Sequence, residues 1–134
     1  MRDVIAIDTS PAMVDMLQQK EIDNVTSTCV DIDDPAVRSA PWFGEFDLIV
    51  ASSVCSFLPN YETTLGLLAR ALRTTGYFVQ WDWLASVVQE FGLTLDRVTQ
   101  AFENADLSRV HIGKAFAAAS EDREKPVLIA VAQI

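Results

Sequence analysis

Short apolar runs alternate along this chain with stretches of helical spacing. Val4-Ile5-Ala6-Ile7 places four apolar residues in a row, the habit of a strand covered on both faces in a parallel sheet. The run ends in Asp8, and Ser10 and Pro11 then make a good N-cap and first helical residue. Met13, Met16 and Leu17 fall at i, i+3 and i+4 and predict one apolar face of a helix over 11–20. Val25-Thr26-Ser27-Thr28-Cys29-Val30, rich in β-branched residues, predicts a second strand; Phe46-Asp47-Leu48-Ile49-Val50-Ala51 predicts a third. Between them 36–45, with Pro41 and Gly44, reads as loop with one helical turn.

The spacing predicts a helix over 61–74, with Leu65, Leu68, Ala69 and Leu72 on one stripe and Gly76, a residue free to take positive φ, ending it. Tyr77-Phe78-Val79-Gln80-Trp81 is the fourth strand. The segment 82–93 is ambiguous, since Val87, Val88 and Phe91 could form a short helix. Thr94 caps a helix over 95–105 that carries Val98, Phe102 and Ala105. Strands over 107–116 and 127–132 follow, joined by a small and charged connector over 117–126. The order β-α-β-β-α-β-α-β-β argues an α/β, Rossmann-like fold: a mainly parallel sheet, helices on both faces and a C-terminal antiparallel strand pair. Asp8 then stands at a strand's carboxyl end, where open α/β sheets bind ligands and where an acid commonly takes a ribose hydroxyl pair.

The bulk properties narrow the partners. A chain of 134 residues, half of them hydrophobic, suits a single folded domain over 1–134. A net charge of −9 disfavours nucleic acid and anionic membrane and serves solubility first. Apolar runs fall short of the roughly 20 residues that span a bilayer, and the start does not resemble a secretory signal. Cys29 and Cys55 lie in apolar sequence surroundings and read as reduced, buried thiols of a cytoplasmic protein.

Most polar residues have a plain structural reading. Asp8 could open an Asx- or ST-type turn ahead of Ser10, which weighs about evenly with ligand binding. Asp31, Asp33 and Asp34 suit a solvated turn before Pro35 better than a metal site, and no metal is expected. His111, the one histidine, reads as structural. Trp81 and Trp83 share a strand face and suit core or dimer packing before substrate contact. Ser52, Ser53 and Ser56 show no nucleophile elbow, and P-loop, basic stripe and metal-ligand spacings are absent from the sequence.

Taken in order, Asp8…Ser10…Met13, Asp31-Ile32, Phe46-Asp47-Leu48-Ile49-Val50-Ala51-Ser52 and Leu72-Arg73-Thr74-Thr75-Gly76-Tyr77-Phe78 resemble class I S-adenosylmethionine (SAM)-dependent methyltransferases, in their small-molecule branch. The resemblance implies SAM as cofactor and a small molecule as acceptor. By position it implies that Asp8 accepts the ribose hydroxyls, supported by Thr9 and Ser10, with Met13 against adenine or ribose. Asp31 would accept the adenine amine, Ile32 would give apolar contact and a backbone donor, and Ser52 would face the methionine end. Ser53 and Phe57 would line the acceptor pocket. No catalytic residue follows, because methyl transfer rests mainly on holding the two reactants in contact.

The family's Gly-rich loop is the point of departure. Gly44, Gly66, Gly76, Gly92 and Gly113 are scattered, and the chain starts at what the family treats as its second strand. The resemblance thus implies a partial, truncated domain. Three outcomes fit: closure of 4–8 onto 46–51, a homodimer mate or partner chain covering the gap, or a fragment of a longer product. Two other functions stay open: a non-catalytic binding or partner subunit on the same scaffold, and another Rossmann-type nucleotide binder.

Overall fold

The computed structural model describes residues 3–87, 90–120 and 123–134. They fall into two compact units, divided between Pro41 and Trp42.

The first unit is a β-α-β element. Strand β1 (Val4–Asp8) and strand β2 (Val25–Cys29) pair in parallel, Val4 opposite Val25 and Asp8 opposite Cys29. Helix α1 (Pro11–Gln18) connects them, with Pro11 in its first turn and Ser10 as N-cap, the Ser10 hydroxyl accepting the Met13 N–H at 3.4 Å. The expected Met13–Met16–Leu17 stripe is not what packs. Val14 is the buried residue of α1, whereas Met13 and Met16 are each more than half exposed. Val4, Ile5, Ala6 and Ile7 are only half-buried, although their composition suits a strand covered on both faces. Cys29 is exposed, not buried, like Thr26 and Thr28 on the same strand. The short helix α2 (Pro35–Arg38) is the expected single turn, its first N–H, that of Ala36, donating to the Asp34 carboxylate at 2.8 Å.

The second unit holds the core. Its sheet runs in the order β3 (Phe46–Ser52), β4 (Leu72–Trp83), β6 (Arg123–Gln133), β5 (Ser108–Ser120). Strands β3 and β4 are parallel, while β4 with β6 and β6 with β5 are antiparallel. The expected terminal pair is present but longer than its apolar centre. Its ladder reaches Ser120 opposite Arg123, so most of the expected connector is strand. Small and charged residues on a solvent-facing hairpin arm carry no apolar signal, which hid it; Glu121 and Asp122 lie outside the described residues.

Helix α3 (Tyr61–Ala71) and helix α4 (Leu95–Asn104) pack on one face of β4. Phe78 meets Phe102 edge-on at 5.7 Å, and Tyr61, Leu65, Val98 and Leu128 close the core around them. Burying rings of this kind contributes roughly 1.5–3 kcal/mol each. Thr94 caps α4 as expected, its hydroxyl accepting the Arg97 N–H at 3.2 Å.

Gly76 does not end α3 at positive φ. The helix stops at Ala71, and Gly76 lies inside β4, within the register shift between Phe46 opposite Leu72 and Leu48 opposite Tyr77. A Cβ there would come within 2.9 Å of the Phe46 carbonyl oxygen, so the glycine is needed for close backbone approach. Arg73, on the shifted segment, pairs with Glu45 at 2.8 Å and Asp47 at 3.0 Å. After β4 the chain does not form the short helix considered for 82–93 among the described residues; Val88 lies outside them. Leu84 and Leu93 bridge instead, pinning a loop back onto the strand's end.

Candidate functional site

In the first unit the parallel register sets the geometry. The Asp8 carbonyl accepts the Val30 N–H at 3.1 Å, so the turns that follow β1 and β2 leave the ladder at the same end. Asp8, Thr9, Ser10 and Met13 stand there with Asp31 and Ile32. Each carboxylate closes a turn on its own backbone: Asp8 Oδ1 accepts the Ser10 N–H at 2.8 Å, and Asp31 Oδ1 accepts the Asp33 N–H at 2.9 Å. The Cys29 thiol donates to the Thr9 carbonyl at 3.6 Å and ties the two turns together. Turn chemistry is therefore present, and it does not exhaust either group. A carboxylate offers about four lone-pair sites, and both Asp8 and Asp31 are exposed. Beside Asp8 and Met13 lies a cavity of about 280 Å³, walled also by Ala6, Ile7, Met16 and Leu17. Its lining is mostly apolar, with Asp8, Lys20 and Ser27 as its polar residues, and Asp31 and Ile32 are not part of it.

The second unit holds the remaining expected residues. Ser52 ends β3 and is exposed; Ser53 follows at a φ of 55°, donating its N–H to the Trp81 carbonyl at 2.7 Å. A 3-10 turn over Cys55–Phe57 comes next and lifts Phe57 into solvent, 65% exposed. Trp81 and Trp83 are half-buried on the β4 face opposite Gln80 and Asp82, and the Lys125 ammonium lies 5.7 Å above the Trp83 ring. His111 is exposed on β5, opposite Val131.

A buried polar column on β4 escaped the sequence reading. Phe78, Gln80 and Asp82 alternate onto the helix-covered face and are each at most 1% exposed. Asp82 accepts the Ser56 N–H at 3.0 Å, the Ser56 hydroxyl, and the Trp83 N–H at 3.0 Å. The Tyr61 hydroxyl donates to Gln80 Oε1 at 3.0 Å, while Gln80 Nε2 is a buried donor without a partner among the described residues. Burial pushes the Asp82 carboxyl above its ordinary value, opposed by the N–H groups it accepts. Burial, with the Asp82 charge beside it, also pushes the Cys55 thiol up, so Cys55 is no thiolate nucleophile. Asp82 lies between two tryptophans, a setting that signals packing; nothing in the spacing marks it as the anchor of the 55–57 turn.

Among the described residues no cluster of histidine, cysteine, aspartate or glutamate could hold a metal, and no helix is long and apolar enough to cross a membrane.

These features sit on a fold that is shared with methyltransferases. The methyltransferase-domain family matches residues 1–80, more than half of the chain, and the chain belongs to that family. Among solved structures, a complex of the Haloferax volcanii Trm112 methyltransferase activator with a protein described as a methyltransferase aligns over 98% of this chain and 72% of that one, at 17% identity and a TM-score of 0.78. The trans-methyltransferase CalH in complex with S-adenosylhomocysteine (SAH) aligns over 98% of this chain at 17% identity and a TM-score of 0.77. A SAM-dependent methyltransferase from Mesorhizobium loti aligns over 99% of this chain and 81% of that one, at 14% identity and a TM-score of 0.77. The chain spans 42% of CalH and 41% of the CurJ carbon methyltransferase. No match is found among curated protein sequences.

Asp82→Ala is expected to cost about 2–4 kcal/mol, because it strands buried donors of Ser56 and Trp83. The sign with pH follows from the raised carboxyl. Its stabilising contribution is complete below the ordinary value of 3.8 and is lost as pH rises through the raised one. Asp82→Asn should flatten that acid-range fall, which urea unfolding at a series of pH values measures; a curve unchanged by Asp82→Asn contradicts the assignment.

Proposed function

We propose that this chain is a SAM-dependent methyltransferase acting on a small molecule, with the nucleoside held at the carboxyl end of the β1/β2 pair. The observation that carries it is the placement of two exposed carboxylates, Asp8 and Asp31, at one end of one parallel ladder. A nucleoside asks for an acceptor of two hydroxyls, an acceptor of an amine and flat apolar walls. Asp8 would take the hydroxyls, with Thr9 and Ser10 fixing its turn, and Asp31 would take the amine. Met13, on the wall of the cavity beside Asp8, and Ile32, outside it, would supply the apolar contacts; at about 280 Å³ that cavity is just below the roughly 300–1,000 Å³ usual for ligand pockets. The cofactor supplies a methyl group on a sulfonium. In the second unit the family resemblance assigns Ser52 to cofactor contact and Ser53 and Phe57 to the acceptor. Their work is orientation and exclusion of water, which is where most of the acceleration of a displacement of this kind arises.

A partner strand is part of the same proposal. Strand β1 ladders with β2 alone and β3 with β4 alone, so the closure of 4–8 onto 46–51 is not among the ladders of the described residues. A strand laddered on one side leaves an edge of N–H and C=O groups that can template a further strand, and Leu48 and Val50 of β3 are exposed while β1 is only half-buried. Each of these edges is uncharged at its centre, without the lysines or prolines that blunt an edge meant to face water. A further strand, from a second copy of this chain or from another polypeptide, would cover them.

Thermal unfolding with millimolar SAM, SAH or NAD tests the cofactor. A ligand of micromolar affinity at a thousandfold excess stabilises by roughly 4 kcal/mol; Asp8→Ala should remove the SAH shift and Glu124→Ala should leave it. No shift with SAM or SAH would favour a non-catalytic binding subunit, and a shift with NAD alone another nucleotide binder. Light scattering tests the second-copy form of the partner, with a particle of about twice 14.8 kDa expected and one of 14.8 kDa contradicting it.

A further inference from the structure

Helices α3 and α4 cover one face of the β3-β4-β6-β5 sheet, and the strand register shows what lies on the other. Leu48 opposite Tyr77 and Val50 opposite Val79 point away from the core, and Val131 of β6 continues the second row. That face is apolar, yet Val50 is 51% and Tyr77 47% exposed. Strand β3, at the margin of the sheet, has one free edge. The first unit presents the counterpart. Strand β1 also has one free edge, and α1, the helix it leads into, shows Met16 to solvent.

Handedness decides which face a β1–α1 segment would cover. A crossover between parallel strands of one sheet is right-handed in nearly all proteins. From β3 to β4 the chain crosses through α3 and steps away from the free edge of β3. From β1 to β2 it crosses through α1 and steps away from the free edge of β1. Joined in parallel along those edges, the two crossovers step in opposite directions across one sheet, so α1 falls on the face opposite α3. That is the open face. Antiparallel joining would send α1 to the face that α3 already occupies. A helix is about 10 Å wide and strands lie about 4.8 Å apart, so α1 would span two strands and bring Met16 over Leu48 and Val50.

We propose that two copies of this chain exchange their first units. Strand β1 of one copy adds in parallel to β3 of the other, and α1 covers the open face. This rests on the partner-strand reading above and names the partner. Charge favours a second copy. The cations Arg109, bonded to Gln133 at 3.0 Å, and Lys125, 5.7 Å above the Trp83 ring, stand on the open face. The segment Met1–Pro41 carries eight carboxylates against three cations. Reciprocal exchange closes on itself as a two-fold dimer and makes the contact twice. Parallel addition also aligns the carboxyl ends, since Asp8 ends β1 and Ser52 ends β3. One site is then built from both copies, with Asp8 and Asp31 of one beside Ser52 and Ser53 of the other.

A mixed-label NMR experiment on the full chain tests this. A nitroxide on the exposed Cys29 marks the carboxyl end of β2, while Cys55, 1% exposed, stays unmodified. Mixed with isotope-labelled protein that carries no nitroxide, it should broaden the amides of Ser52 and Ser53 in the other copy more than that of Phe46. Sedimentation should show a wild-type dimer. Val50→Asp and Met16→Asp, each at a position more than half exposed and so harmless to the fold of a lone copy, should each weaken it about tenfold or more. A particle of 14.8 kDa, a dimer indifferent to either substitution, or broadening absent from Ser52 and Ser53 or strongest at Phe46 overturns the proposal. SAH titrated in parallel separates the two readings. An exchanged dimer that ignores SAH removes the cofactor and leaves the exchange standing, and a monomer that binds SAH through Asp8 does the reverse.

Discussion

Parallel pairing without a register slip is the constraint on which the account turns. Val4 lies opposite Val25 and Asp8 opposite Cys29, so both strands reach their carboxyl ends together. An acid at the last position of one strand and an acid two steps beyond the end of the other then share a rim by geometry alone. The Val30 N–H on the Asp8 carbonyl and the Cys29 thiol on the Thr9 carbonyl hold that rim closed. Antiparallel pairing would have sent Asp31 to the far end. The Asx-type turns at Asp8 and Asp31 are thus part of the site, since they fix where the carboxylates stand.

The second unit solves a related problem with buried chemistry. Its turn after β3 must hold Ser53 at positive φ and project Phe57 outward, neither of which an isolated peptide would favour. Asp82 supplies the anchor, a carboxylate taken out of water and repaid by donors from Ser56 and Trp83. The same network holds Leu93 against the end of β4, since Trp83 serves both Asp82 and Leu93. Arg97 completes the cover over this region, paired with Glu62 and lying 5.5 Å above the Tyr61 ring.

Signals of local chemistry survived from sequence to structure, while signals set by packing across elements did not. The caps at Ser10 and Thr94, the single helical turn before β3 and the order of elements along the chain were readable because a few adjacent residues decide them. Gly76 misled because glycine serves both helix ends and close backbone approach; only the Phe46 carbonyl, thirty residues away in sequence, tells which. Cys29 and the methionines of α1 misled because apolar composition predicts burial only where a neighbouring element arrives. The long β5–β6 hairpin outran its apolar centre because a hydrogen-bonded ladder needs no hydrophobic pattern to continue. In the candidate site, Asp8 and Asp31 were legible as strand-end acids, whereas Asp82 and Gln80 acquire meaning only through partners distant in sequence.

The most direct measurement is an amide-resolved NMR titration of the chain with SAH. The account predicts saturable shifts at the amides of Asp8, Thr9, Ser10, Asp31 and Ile32, which share the rim set by the β1/β2 register. Saturation of binding with these amides unmoved, or with the Asp8 turn moving and the Asp31 turn silent, would contradict it.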